Sequence, residues 1–151
     1  MNMQTLVEQN RTNHYKLLVI VDNNRQHDKI IDLLEKEGWV AYDVTDNLLK
    51  MIEDVPPEKV KLRIRDQIKK WIKNLPDKII LYNTSILFSP ELGKLNPVGA
   101  FKYKARDREI IVFVEGHASG NRIQYSTYGR DDHTEMDVSE LIHVRLEDIH
   151  A

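Results

Sequence analysis

The residues with the most to say about chemistry follow a run of apolar side chains, Leu17 to Val21. They read Asp22-Asn23-Asn24-Arg25-Gln26-His27-Asp28-Lys29 and lead into an amphipathic stretch. Between a buried strand and a helix, nucleotide-binding α/β proteins carry a G-x-x-x-x-G-K-[ST] loop, because glycines let consecutive N–H groups wrap a phosphate at the helix N-terminus. With Lys29 placed on the motif lysine, Asn23 and Asp28 fall on the glycine positions and Ile30 on that of the magnesium-binding hydroxyl. Only the lysine matches. Asp22 and Asp28 also bring negative charge to this helix start, where a carboxylate satisfies the N–H groups in place of phosphate.

The metal-side acid of such a site ends a later strand of apolar residues. Here the corresponding stretch is Ile79-Ile80-Leu81-Tyr82-Asn83-Thr84-Ser85, with no carboxylate. Both halves of the nucleotide chemistry are missing together. One reading is a lapsed phosphate loop, with no catalytic residue and no cofactor expected; on pattern alone an ordinary α/β protein with a polar loop after its first strand is favoured over it.

Other groupings are weaker. Asp131, Asp132, His133 and Glu135 are metal-ligand types, but their spacing matches no site and reads as a solvated loop, so no metal is expected. Asp22 as a phosphoryl acceptor lacks a second carboxylate two residues on. His14, His27, His117, His143 and His150 have no G-x-S-x-G serine to serve and read as scattered polar residues. The chain has no cysteine, which excludes disulfides, thiolate zinc sites and cysteine nucleophiles and sets a cytoplasmic location as the expectation.

The elements that must position these residues follow from periodicity. Leu17 to Val21 suits a central strand buried on both faces, and Ile30, Ile31, Leu33 and Leu34 form a helical stripe from Asp28 to Glu37, closed by Gly38. Trp39 to Val44 reads as a strand, and Asp46 to Glu53 as a helix capped by Thr45. After Pro56-Pro57 the longest helix runs from Glu58 to Leu75 through Val60, Ile64, Ile68, Trp71 and Ile72. Lys78 to Tyr82 is a further strand. Ser89-Pro90 and Asn96-Pro97 each place a cap before a first-turn proline. Ile110 to Val114, Arg122 to Thr127 and Leu141 to Leu146 complete the strands. Length agrees: 151 residues, 41% apolar and 30% charged, suit a single α/β domain over 1–151. Met1 to Asn13 is polar, and no apolar run approaches the ~18 residues of a membrane span.

From Leu17 to Leu146 the order of segments resembles BrxF, the small P-loop-containing component of type III BREX phage-defence systems. The resemblance rests on Ile79 to Phe88, where Tyr82 and Ser85 replace the family's two acids, and on Arg106-Asp107-Arg108 before the Ile110 strand. Gly116, Ile123-Gln124-Tyr125 and Asp132-His133-Thr134-Glu135 extend it. It implies a three-layer, P-loop NTPase-like (AAA-type) domain with a mostly parallel central sheet and a late β-hairpin. By the same match Asn23, Asp28, Lys29, Ile30, Tyr82 and Ser85 are its vestigial nucleotide-binding positions.

The function expected on that resemblance is a non-catalytic accessory component of antiviral defence. Its partners would be other BREX-type proteins and, beside them, DNA or further copies of the chain. Two rivals stand. One is an active nucleotide-handling enzyme in which Lys29 and Arg106 or Arg108 still grip phosphates. The other is a direct DNA-binding module, since the long helix carries Lys69, Lys70 and Lys73 on a basic stripe. On the latter reading, charge reversal at Lys69, Lys70 and Lys73 abolishes DNA retention in an electrophoretic shift. Unchanged retention, insensitive to salt, counts against it.

Overall fold

Burial decides the architecture at Leu17–Val21 (β1), where every side chain is buried. Alternate residues of a strand face opposite sides, so Leu17, Val19 and Val21 enter one core and Leu18 and Ile20 another. Such a strand needs a covering layer on each face. The computed structural model, which describes residues 1–150, supplies both.

The further strands are β2 (Val40–Asp43), β3 (Lys78–Tyr82), β4 (Glu109–Val114), β5 (His117–Ser119), β6 (Arg122–Tyr125), β7 (Thr134–Asp137) and β8 (His143–Arg145). The main sheet has the order β2-β3-β4-β1-β8 and is parallel throughout. β1 is therefore flanked by β4 and β8, with Val19 opposite Val112 on one side and His143 on the other. A separate antiparallel sheet has the order β5-β6-β7.

One face of the main sheet is covered by α1 (Met3–Thr12) and α2 (Asp28–Glu35), whose Leu6, Ile30, Ile31 and Leu34 share a core with Leu18, Ile20, Ile80, Ile111 and Phe113. The other is covered by α3 (Val44–Ile52), α4 (Val60–Lys73) and the short α5 (Pro97–Phe101), joined by Ile123 and Met136 of the small sheet. The expected α/β class and mostly parallel central sheet are thus present. Among the described residues no helix is long and apolar enough to cross a membrane.

Several local expectations change. The polar start folds as α1, because Asn2 caps it by accepting from the Thr5 N–H at 2.8 Å, and Met3, Leu6, Val7 and Asn10 form one buried stripe. The cap of α3 is Asp43, whose Oδ1 accepts from the Asp46 N–H at 3.0 Å, while the expected cap Thr45 instead donates its hydroxyl to the Asn83 carbonyl at 2.7 Å. A 3-10 turn at Pro57–Lys59 precedes α4, which starts later than periodicity suggests. Its buried stripe is Val60, Ile64, Ile68 and Ile72. The late hairpin, β5 and β6 joined through Gly120, gains β7 as a third strand. The last apolar stretch leaves that sheet to run beside β1.

β8 sets a half-buried imidazole on this edge: burial pushes His143 below the ordinary histidine value. The unfolded chain then binds the proton more readily than the folded one, so this contribution to stability is present above ~6.5 and declines as pH falls through the folded midpoint. NMR titration of the His143 ring is expected to give a midpoint below ~6.5. His143→Gln should reduce the loss of stability on acidification in denaturant melts.

Candidate functional site

Ligands of open parallel sheets bind beyond the C-terminal ends of the strands, and here three such ends meet. β1 delivers Asp22, β3 delivers Asn83, Thr84 and Ser85, and β4 delivers Glu115 and Gly116. The Asp22 N–H donates to the Val114 carbonyl at 2.8 Å, which holds the start of the loop against the end of β4.

Asp22 is only 4% exposed. Burying a carboxylate is costly unless donors surround it, and the loop provides them. Its Oδ1 accepts from the N–H groups of Asn24 at 3.3 Å and Gln26 at 3.1 Å. Its Oδ2 accepts from His27 Nδ1 at 3.0 Å. The turn that lets these groups converge includes Arg25 in the left-handed region, at φ 51°. A concavity of converging backbone N–H groups after a strand is an anion site in other proteins. In this one the anion is the chain's own side chain.

The rest of the loop is fastened outward. Asn23 donates from Nδ2 to the Gly116 carbonyl at 2.9 Å and accepts from the Gly116 N–H at Oδ1, 2.8 Å. This two-way clasp needs glycine at 116, where φ is 154° and a Cβ would stand 2.6 Å from Ile123 Cγ2 and 2.9 Å from the Gln124 carbonyl oxygen. Across the crevice, Asn83 sits at φ 53° and donates from Nδ2 to Asp43 Oδ2 at 2.7 Å. Buried Thr84 donates its hydroxyl to the Phe113 carbonyl at 2.7 Å. What remains between these walls has a volume of about 20 Å³. That is room for roughly one water, against roughly 300–1,000 Å³ for a small-molecule pocket.

The buried Asp22–His27 pair has the form of a base and its orienting carboxylate. No protein nucleophile is hydrogen-bonded to the imidazole among the described residues. The charged group facing His27 Nε2 is Asp28 Oδ1 at 3.7 Å. The His27 ring packs between Tyr82 and Phe113, each with its centroid 5.2 Å away. Burial, with Asp43 nearby, raises the Tyr82 phenol above its ordinary value. Burial also raises that of Tyr125, which stacks on Phe88 at 3.8 Å. These phenols stay neutral at physiological pH. The arrangement orders the loop.

The positions matched to a nucleotide site are scattered in role. Asn23 is pinned to Gly116, Asp28 is exposed in the first turn of α2, and Ile30 is buried in the core. Lys29 points to solvent with no ion-pair partner among the described residues. Tyr82 packs against the His27 ring, and Ser85 lines the crevice. Of the two carboxylates expected to occupy the loop's N–H groups, Asp22 does so and Asp28 does not. His27, grouped with the scattered polar histidines, is instead buried and bonded to Asp22. Its signal was its place in the loop, five residues after the acid.

The basic residues lie at the opposite edge of the sheet. Lys69, Lys70, Lys73 and Arg108 share one groove, to which Tyr103 and Lys104 also contribute, and Arg106 is exposed just beyond it. Asp131, Asp132, His133 and Glu135 do not converge on a metal site. Glu135 takes Arg122 and Tyr128, Asp132 takes Arg130, and His133 faces the Ser126 carbonyl. Comparison of this chain with protein-family models, with curated proteins and with solved structures finds no match.

Removing the Asp22 carboxylate strands the loop N–H groups and the His27 donor. Asp22→Ala is therefore expected to lower the free energy of unfolding by about 1–3 kcal/mol, read from urea denaturation. An unchanged midpoint would show that the carboxylate does not hold the loop.

Proposed function

We propose that this chain is a non-catalytic, P-loop-like accessory module of a BREX-type antiviral defence system. On this reading it works by binding a larger defence protein and not by turning over nucleotide. The observation that carries the non-catalytic part is the Asp22 carboxylate seated on the N–H groups of Asn24 and Gln26, where a phosphate would lie in a working loop. Phosphate would have to displace a hydrogen-bonded carboxylate and then share the space with its charge.

The P-loop part is supported by the order of elements around that loop. A buried strand leads through it into a helix whose second residue is Lys29. The strand lies between β4 and the last strand of a parallel sheet, β2-β3-β4-β1-β8, an arrangement in keeping with an AAA-type domain. The paired loss of loop glycines and strand-end acids agrees with a fold kept for its surface. The defence assignment rests on the resemblance of Ile79 to Phe88 and the later segments to BrxF.

Isothermal titration with ATP and magnesium tests the first part: no heat of binding is expected up to millimolar nucleotide, and micromolar affinity overturns it. The defence part is tested by the gene's neighbourhood. A PglZ-type phosphatase or a large ATPase encoded alongside is expected, and purified together with this chain it should form a complex on gel filtration.

A further inference from the structure

The N-terminal edge of the main sheet, remote from the loop, carries a surface that the proposed function does not use. The last turns of α4 and the 3-10 segment Lys102–Arg106 enclose an open groove of about 410 Å³. Lys69, Lys70, Lys73, Lys104 and Arg108 line it against a single carboxylate, Asp107. Lys70 is held by Asp66 at 3.2 Å. No ion pair occupies Lys69, Lys73 or Lys104 among the described residues. Arg108 donates from Nη1 to the carbonyls of Ile72 and Leu75, placing a cation on the negative end of the α4 dipole. The helix end therefore does not repel an anion in the groove.

Two features choose among anions. The first is linear spacing. Lys61, Arg65, Lys69 and Lys73 recur every fourth residue on the exposed face of α4, so successive charges stand about 6 Å apart along its axis. That suits a chain of charges, with the groove at one end of the row. The second is Tyr103, an aromatic side chain 65% exposed at the groove wall. It is steadied edge-on by Tyr15, with centroids 5.6 Å apart and an interplanar angle of 89°. An exposed, braced ring beside a row of cations offers a base a stacking surface while its backbone follows the charges.

The acidic residues that cluster between Asp131 and Asp148 are poorer occupants. Glu140 is engaged by Lys102, Glu135 by Arg122, Asp132 by Arg130 and Asp148 by Arg145. A duplex would meet the lysines but keep its base faces away from Tyr103.

We propose that this groove binds single-stranded nucleic acid, with Lys61, Arg65, Lys69 and Lys73 following the phosphates and Tyr103 stacking on a base. The proposal is independent of the state of the loop, which lies at the other edge of the sheet.

The test is fluorescence anisotropy of the intact chain with a labelled oligothymidylate of about 16 nucleotides. Binding is expected at about 50 mM salt and is expected to weaken steeply by about 200 mM. Tyr103→Leu, which keeps an apolar contact with Tyr15 but removes the ring, should weaken binding about ten-fold, and Tyr103→Phe should restore it. Lys69→Glu with Lys73→Glu should abolish it. Unchanged thermal melts of these surface variants exclude loss of folding as the cause. Absence of binding at the lower salt overturns the proposal, as does a Tyr103→Leu affinity equal to that of the parent chain. Retention of a duplex of the same length as tightly as the single strand also overturns it.

Discussion

A carboxylate taken out of water at the end of a central strand imposes terms on everything near it. Asp22 can be buried because Asn24 and Gln26 turn their N–H groups back towards it and His27 folds in beneath. Those conditions bend the loop through a left-handed residue, draw the imidazole between Tyr82 and Phe113, and leave about 20 Å³ where a ligand would otherwise lie. A phosphate loop uses the same converging donors but leaves the anion to be supplied from outside. Here the anion is covalently part of the chain and is never released. The loop is thereby a structural knot.

The molecule as a whole divides its polarity along the strand direction. At the C-terminal edge, polar groups satisfy one another: Asp22 with His27, Asn23 with Gly116, Asn83 with Asp43, Thr84 with a strand carbonyl. At the N-terminal edge the lysines of α4 are solvated and largely unpaired. Groups already satisfied have little free energy left for a ligand, whereas solvated cations release counterions when a polyanion arrives. An open parallel sheet usually offers ligands its C-terminal edge; in this chain the cluster of solvated lysines is at the opposite edge.

How much of this was legible in the sequence varied with the kind of signal. β1, β3 and β4 were readable because burial on both faces demands unbroken apolar runs, and α4 because its isoleucines repeat every fourth residue. α1 was not, since its buried stripe includes the polar Asn10 among few apolar residues and its stability comes from docking on the sheet. β5 and β7 bury essentially one inward face of very short segments, too brief to show alternation. In the candidate site, Asp22 was readable as a competitor for the loop N–H groups because its chemistry is local in sequence. His27, though only five residues after the acid, had nothing in its composition to mark it as buried, and Asn23 and Gly116 were not readable because their roles depend on which strand ends lie side by side. Tyr103 was hidden for the same reason: a lone exposed tyrosine gains meaning only beside a helix some thirty residues earlier in the chain.

The Asn23–Gly116 clasp limits how this loop can be altered by substitution. Gly116 is fixed not by the loop but by the small sheet behind it, where Ile123 and the Gln124 carbonyl leave no space for a side chain. Ile123 in turn belongs to the core beneath the main sheet. The loop is therefore tied, through one amide, to the small sheet that follows β4 in the chain. Glycine at positions 23 and 28 would free that amide's partners without clearing the Asp22 carboxylate from the cradle. Removing the carboxylate alone would leave the amide in place. Opening the cradle therefore takes two separate changes, one that removes the Asp22 carboxylate and one that releases the clasp, and neither does the work of the other.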